Sequence, residues 1–126
     1  MERLIALLAV WAVALAAPIP VTITYYHAVP DQTDGQPLVA SCGPLAAVQK
    51  PKGWRIVALS RDLFFKDGHK RCGDLVWVKV GGESFIGIVW DTMAARFFRS
   101  VDVLYPVGER APWGKARGLI EFIDGY

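Results

Sequence analysis

The feature that most narrows the fold of this chain is a series of short β-type segments with turn residues between them. Residues 21–26 (VTITYY), 54–59 (WRIVAL), 75–80 (LVWVKV), 85–90 (FIGIVW), 101–105 (VDVLY) and 119–123 (LIEFI) are rich in β-branched and aromatic side chains, and the first alternates as a half-buried strand does. Gly81-Gly82, between the third and fourth segments, is a hairpin signal. Twelve glycines and eight prolines imply many turns and argue against a helical bundle. Six short strands joined by turns imply an all-β closed barrel or sandwich. Two stretches interrupt the pattern. Residues 31–53 read as a long loop with one short helical turn at 45–48, and residues 93–98 (MAARFF) read as a helical turn crossing a barrel end.

A chain of 126 residues is expected to hold one domain. Residues 1–17 stand apart from it. Glu2 and Arg3 precede an apolar run of about 14 residues, shorter than the ~20 that span a bilayer as a helix. Ala14 and Ala16 supply a small-x-small pattern, so the segment reads as a secretory signal cleaved after Ala16, with the barrel occupying 18–126. Because Glu2 offsets Arg3, a retained hydrophobic anchor or assembly helix is the alternative, and it would make residues 1–17 a membrane or assembly contact. The protein is accordingly expected in the periplasm, cell envelope or extracellular space. A net charge of +2 does not mark a nucleic-acid binder, and an apolar fraction of 53% suffices for one core.

Cysteine usage agrees with export. Cys42 and Cys72 are the two cysteines; a disulfide between them would close a loop of about 30 residues and add ~3 kcal/mol by the loop-entropy model. His27 and His69 lie outside any spacing that preorganises a metal site, so neither a metal nor a cofactor is expected. None of Ser41, Ser60, Ser84 and Ser100 sits in a GxSxG elbow, and Gly81-Gly82 lacks the partners of a phosphate loop. Carboxylates remain. Asp91 follows the FIGIVW strand, and Asp102 lies between Val101 and Val103, which face the opposite way. A partly buried carboxyl there would have the raised pKa that a general acid near neutral pH needs, the plainer reading being a solvated or capping Asp.

The spacing of these residues resembles a known family. Asp91-Thr92, then nine residues, then Val101-Asp102-Val103, then Trp113-Gly114 before a closing apolar strand, is similar to the three-aspartate (3D) domain of bacterial cell-wall enzymes. That family forms a six-stranded double-psi β-barrel and includes the catalytic barrel of membrane-bound lytic transglycosylase A. Thr24-Tyr25-Tyr26 looks like its opening strand, and Asp34-Gly35 to Ser41-Cys42-Gly43 looks like its Asp-Gly…Thr-Ala-Ser-Gly loop. Leu59-Ser60, Leu63-Phe64 and Cys72-Gly73 resemble the related barrels of barwin, the expansins and rare lipoprotein A. Two departures stand out: Ser60 occupies the place of the first family aspartate, with Asp62 the nearest substitute, and the family's glycine-rich loop is replaced by residues 93–98.

The resemblance implies an all-β double-psi barrel with one or two short helical turns that acts on peptidoglycan glycan strands. A lytic transglycosylase of this kind cleaves the MurNAc-GlcNAc bond with one carboxyl as general acid and then base; Asp102 would take that part and Asp91 would orient it or stabilise positive charge. In an inverting hydrolase a second carboxylate would activate water, and Asp31 or Asp34 would supply it. Tyr25, Tyr26, Asp34, Ser60, Thr92, Arg96 and Arg99 are the expected substrate contacts, the tyrosines and Phe97 or Phe98 by stacking on sugars and the arginines, with Lys115, by meeting carboxylates. Trp54, Trp77, Trp90 and Trp113 are expected to pack in the core or at a barrel end. The alternative function is a glycan-binding or structural barrel of a cell envelope or phage virion, without catalysis.

Overall fold

The computed structural model of the chain describes residues 17–30, 35–36 and 38–123. Its strands are β1 (Ile19–Tyr26), β2 (Val39–Ala40), β3 (Gly43–Pro44), β4 (Arg55–Leu59), β5 (Phe65–Lys66), β6 (His69–Lys70), β7 (Leu75–Val80), β8 (Glu83–Thr92), β9 (Ser100–Leu104) and β10 (Ala116–Ile123). A 3₁₀ turn covers Leu45–Ala47, and one short helix, α1 (Arg61–Phe64), follows β4. Six strands close a barrel in the order β1-β10-β7-β8-β4-β9. This is the double-psi β-barrel, and its six strands are those expected from the alternation, with ends shifted by a few residues.

Pairing around the barrel is mixed. β7 and β8 form the hairpin signalled by Gly81-Gly82, whereas β1 pairs parallel with β9 and β4 pairs parallel with β8. Parallel neighbours cannot be joined by a tight turn. The 31–53 segment and the chain between β4 and β8 therefore serve as the connections that let distant strands meet. Alternation then sorts the side chains: Val21, Ile23, Val57, Leu59, Val76, Val78, Val89, Val101, Val103 and Ile120 fill the barrel and are fully buried. Phe64, on α1, is fully buried against the same core.

Close approach of strands fixes one interior position. A Cβ on Gly118 would lie 2.5 Å from the Lys79 carbonyl oxygen and 2.5 Å from Ile23 Cδ1, so β10 can cross between β1 and β7 only without a side chain there. One barrel end is filled by aromatic rings. Trp113 stacks on Phe85 with centroids 6.0 Å apart and meets Tyr105 edge-on at 5.7 Å, which places it as end packing, as expected.

One local expectation needs correction. Residues 93–98 form no helical turn; Phe97 N–H donates to the Ala94 carbonyl at 3.1 Å, closing a β-turn, because the segment must reverse direction in a few residues between β8 and β9. The helix lies instead at α1, where Leu63 and Phe64 turn into the core behind Ser60. Cys42 and Cys72 are joined by a disulfide, with Cα atoms 5.6 Å apart. It ties the β2–β3 hairpin to the turn before β7. Residues 1–16 and 31–34 lie outside the described residues, and with them the leader, its cleavage position and the calls on Asp31 and Asp34.

Candidate functional site

The outer face of the barrel carries the polar residues that the strands do not need inside. On β9, Val101 and Val103 point into the core, so Asp102 and Leu104 point outward. Asp102 pairs with Thr24 of β1 on one side and with Ala58 of β4 on the other. Ala58 in turn pairs with Asp91 of β8. Thr24, Asp102, Ala58 and Asp91 thus form one row across four strands. With strands ~4.8 Å apart, the Cα atoms of the two aspartates, two strands from each other, are about 10 Å apart.

A bulge puts Asp91 into this row. The register between β4 and β8 runs Val57↔Val89 and then shifts to Ala58↔Asp91, leaving Trp90 as the extra residue. Simple alternation from the buried Val89 would have turned Asp91 inward and placed Trp90 opposite Ala58. The shift carries the carboxylate outward beside Asp102. Trp90 is then free to clamp the β2–β3 hairpin: its Nε1–H donates to the Gly43 and Pro44 carbonyls, 3.2 Å to each, and its carbonyl accepts the Cys42 N–H at 3.1 Å.

Each aspartate has defined partners. Thr24 Oγ1–H donates to Asp102 Oδ1 at 2.8 Å. Asp91 Oδ1 accepts the backbone N–H of Ser41 at 2.8 Å and that of Thr92 at 2.9 Å. The disulfide holds Ser41 in place through its neighbour Cys42. Between the carboxylates, Tyr26, Ala58 and Met93 form a small buried apolar cluster with Leu104 against it. This floor takes Asp102 largely out of water. Burial pushes its carboxyl up from 3.8 to about 6; the Thr24 hydrogen bond acts in the lowering direction, and the nearby Asp91 charge adds to the rise. Tyr26 is raised well above the ordinary tyrosine range, first by burial and then by the charges of Asp91 and Asp102. A carboxyl that holds its proton to near-neutral pH beside a second carboxylate can donate that proton and take it back.

No family model matches the chain, and no curated protein matches it. A solved structure does. The chain is similar to the Streptomyces papain inhibitor, with a TM-score of 0.55 and 17% sequence identity over 86% of this chain and 94% of that one. At that identity the likeness shows the fold, a barrel of the double-psi type, and nothing of the task.

The expected site residues divide by where the barrel puts them. Asp91, Asp102 and Tyr26 lie together on this outer face. Tyr25 faces the other way, as neighbours on a strand must: it packs edge-on with Tyr105 at 5.6 Å and His27 at 5.7 Å, and its hydroxyl interacts with Arg110. The two tyrosines therefore do not share one sugar-stacking surface. Ser60 is a correction. It is fully buried, and its Oγ accepts the Ser100 N–H at 2.9 Å, so it knits the start of α1 to β9 and offers nothing to a substrate. Thr92 is also tied to the scaffold, its Oγ1–H donating to the Leu59 carbonyl at 3.1 Å.

The arginines of the 93–99 turn lie outside the row of carboxylates. Arg96 sits over the Phe97 ring at 4.5 Å, and the Arg99 guanidinium is 3.9 Å from Asp62, whose carboxylate also accepts the Arg99 N–H. Asp62, the nearest substitute for the missing family aspartate, is thus a brace for this turn. Thr24 is the neighbour of Asp102 that sequence reading did not single out as a site residue. Its signal was present, since it shares strand parity with Tyr26, but its distance of 78 residues from Asp102 hid the contact. Among the described residues no group of three or more His, Cys, Asp or Glu side chains is arranged to hold a metal ion.

Proposed function

We propose that this barrel cleaves peptidoglycan glycan strands at the MurNAc-GlcNAc bond, with Asp102 as general acid and then general base. The observation that carries the reading is the Asp102 carboxyl, pushed up to about 6 on the barrel's outer face, braced by Thr24 and with Asp91 in the same row. Protonated Asp102 gives its proton to the glycosidic oxygen as the bond from that oxygen to C1 breaks. The leaving GlcNAc takes the proton with it. Carboxylate Asp102 then removes the proton from the MurNAc 6-hydroxyl as O6 bonds to C1, closing a 1,6-anhydro sugar. One carboxyl serves both steps. Asp91, positioned by the Ser41 and Thr92 N–H groups, supplies negative charge near the positive charge that develops at C1. Work on such a substrate agrees with an exported chain acting in the cell envelope or on a phage virion.

A second reading is a barrel that binds glycan or serves as a structural part without cutting. The buried, hydrogen-bonded Ser60 in place of the first family aspartate favours it. Digestion of purified sacculi followed by mass spectrometry separates the two. Anhydro-muropeptides support the proposal, reducing ends would convert it to a hydrolase, and no products from a folded, disulfide-bonded protein would leave the binding reading.

A further inference from the structure

The outer face continues past the carboxylate row. Moving along β9 from Asp102, the next outward residue is Leu104, which both backs the Tyr26–Ala58–Met93 cluster and lines a separate cavity of about 250 Å³. Lys50, Arg55, Ile56, Tyr105 and Val107 contribute to the same cavity. The antiparallel register Ala58↔Asp102 and Val57↔Val103 places Arg55 three residues from Ala58, about 10 Å along the strand. Ile56 and Ala58 share the outward parity of Asp102 and Leu104, so the face runs from the two carboxylates over an apolar floor to this cavity, where Arg55, of Val57's parity and stacked on Tyr105, stands at the barrel end with Lys50.

The cations are held and accessible in different ways. The Arg55 guanidinium lies 3.8 Å from the centroid of the Tyr105 ring, which fixes its plane at the cavity wall. Lys50 is exposed at the rim. Neither forms an ion pair among the described residues. Two carboxylates, Glu83 and Glu109, lie near Tyr105, and the Arg55 charge acts on that hydroxyl more strongly than either. The cavity is smaller than the ~300–1,000 Å³ of sites that enclose a whole small molecule, so it suits one arm of a longer ligand. Its apolar walls and positive end select an arm that is short, partly apolar and negatively charged.

We propose that the Lys50–Arg55 cavity is a subsite for a carboxylate-bearing arm of the glycan, so that the face selects acidic, lactyl- or peptidyl-substituted strands over neutral ones. This rests on the reading of the Asp102 face as a glycan site, and it extends that reading by naming what marks the strand. Arg55 meets the carboxylate with its planar fork, Lys50 adds a second charge at the rim, and Ile56, Leu104 and Val107 receive the apolar part of the arm.

The test is binding to the intact, disulfide-bonded protein, followed by amide chemical shifts. The ligands are the disaccharide GlcNAc-MurNAc, which lacks the scissile linkage, the same disaccharide with its stem peptide, and N,N′-diacetylchitobiose, which has no carboxylate. Binding of the acidic disaccharides at least about tenfold tighter than the neutral one is expected, with shifts at Arg55, Leu104 and Val107. A preference for the peptide form alone assigns the carboxylate to the stem; a preference for the free form assigns it to the lactyl group. Lys50→Gln with Arg55→Gln should abolish the preference, Arg55→Lys should restore part of it, and Lys50→Glu alone, at an exposed position, should reverse it without disturbing the fold. Equal affinities for all three ligands, or a preference that survives Lys50→Glu, overturns the proposal. Acid-selective binding without sacculus digestion would keep the subsite and remove the chemistry; digestion without selectivity would do the opposite.

Discussion

Replacing Asp102 by Asn tests the carboxyl without relying on any assay of activity. In the folded state burial holds its pKa at about 6, against 3.8 ordinarily. The sign follows from where the proton is held more tightly. Below about pH 4 the carboxyl is protonated in both folded and unfolded chains, and the folded state bears no cost. As pH rises toward 6 the unfolded chain ionises first, so folded stability falls; above 6 both are ionised and the loss is complete. The span from 3.8 to about 6, at 1.36 kcal/mol per pKa unit, corresponds to about 3 kcal/mol. Because Asp102 keeps some contact with water, about 1–3 kcal/mol is expected. Asn has nearly the same shape and can still accept from Thr24 Oγ1, but it does not titrate. Urea denaturation of both proteins at a series of pH values should show the variant gaining stability relative to the wild type between about pH 4 and 6, then running parallel to it. A difference that stays constant across that window, or that shifts in favour of the wild type as pH rises, would refute the assignment of a raised pKa. The same variant should lose about 10²- to 10⁴-fold in glycan cleavage, the usual contribution of general acid-base assistance.

Thr24→Val removes the hydroxyl that stabilises the Asp102 carboxylate, so the carboxyl pKa should rise by about 1–2 from its value near 6, read by carbon-13 NMR of the side-chain carboxyl. Ser60→Ala deprives the buried Ser100 N–H of its acceptor and should cost about 1–3 kcal/mol in denaturant melts while leaving the Asp102 titration in place. Reduction of Cys42–Cys72, or its replacement by two serines, reopens a loop of 30 residues and should cost about 3–4 kcal/mol; the oxidised protein should be lighter than the reduced one by two hydrogens in mass spectra. Gly118→Ala places a methyl against the Lys79 carbonyl and Ile23, so a loss of about 1–3 kcal/mol or failure to fold is expected, detectable as a lowered denaturation midpoint.

Much of the barrel is local information. Alternation in VTITYY and VDVLY decides which side chains face the core once the strands form, which is why Asp102 could be placed outward between two buried valines from the sequence alone. Gly81-Gly82 likewise decides the β7–β8 hairpin, because adjacent strands with a permissive two-residue turn need no other partner. Other features depend on which strand lies next to which, and nothing within a short window carries that. Thr24 reaches Asp102 only through the parallel pairing of β1 with β9, and Ser60 is removed from the surface only because the end of β4 meets Ser100 at the start of β9 in a pair of hydrogen bonds. Asp91 is the plainest case. Strand parity from Val89 points it into the core; the bulge at Trp90 turns it out beside Asp102, and that extra residue is stabilised by the indole's hold on a hairpin nearly fifty residues away. Side-chain facing is a property of one strand and can be read along it, whereas the register between strands is settled by packing across the closed barrel, so the pair of carboxylates exists only in the folded protein.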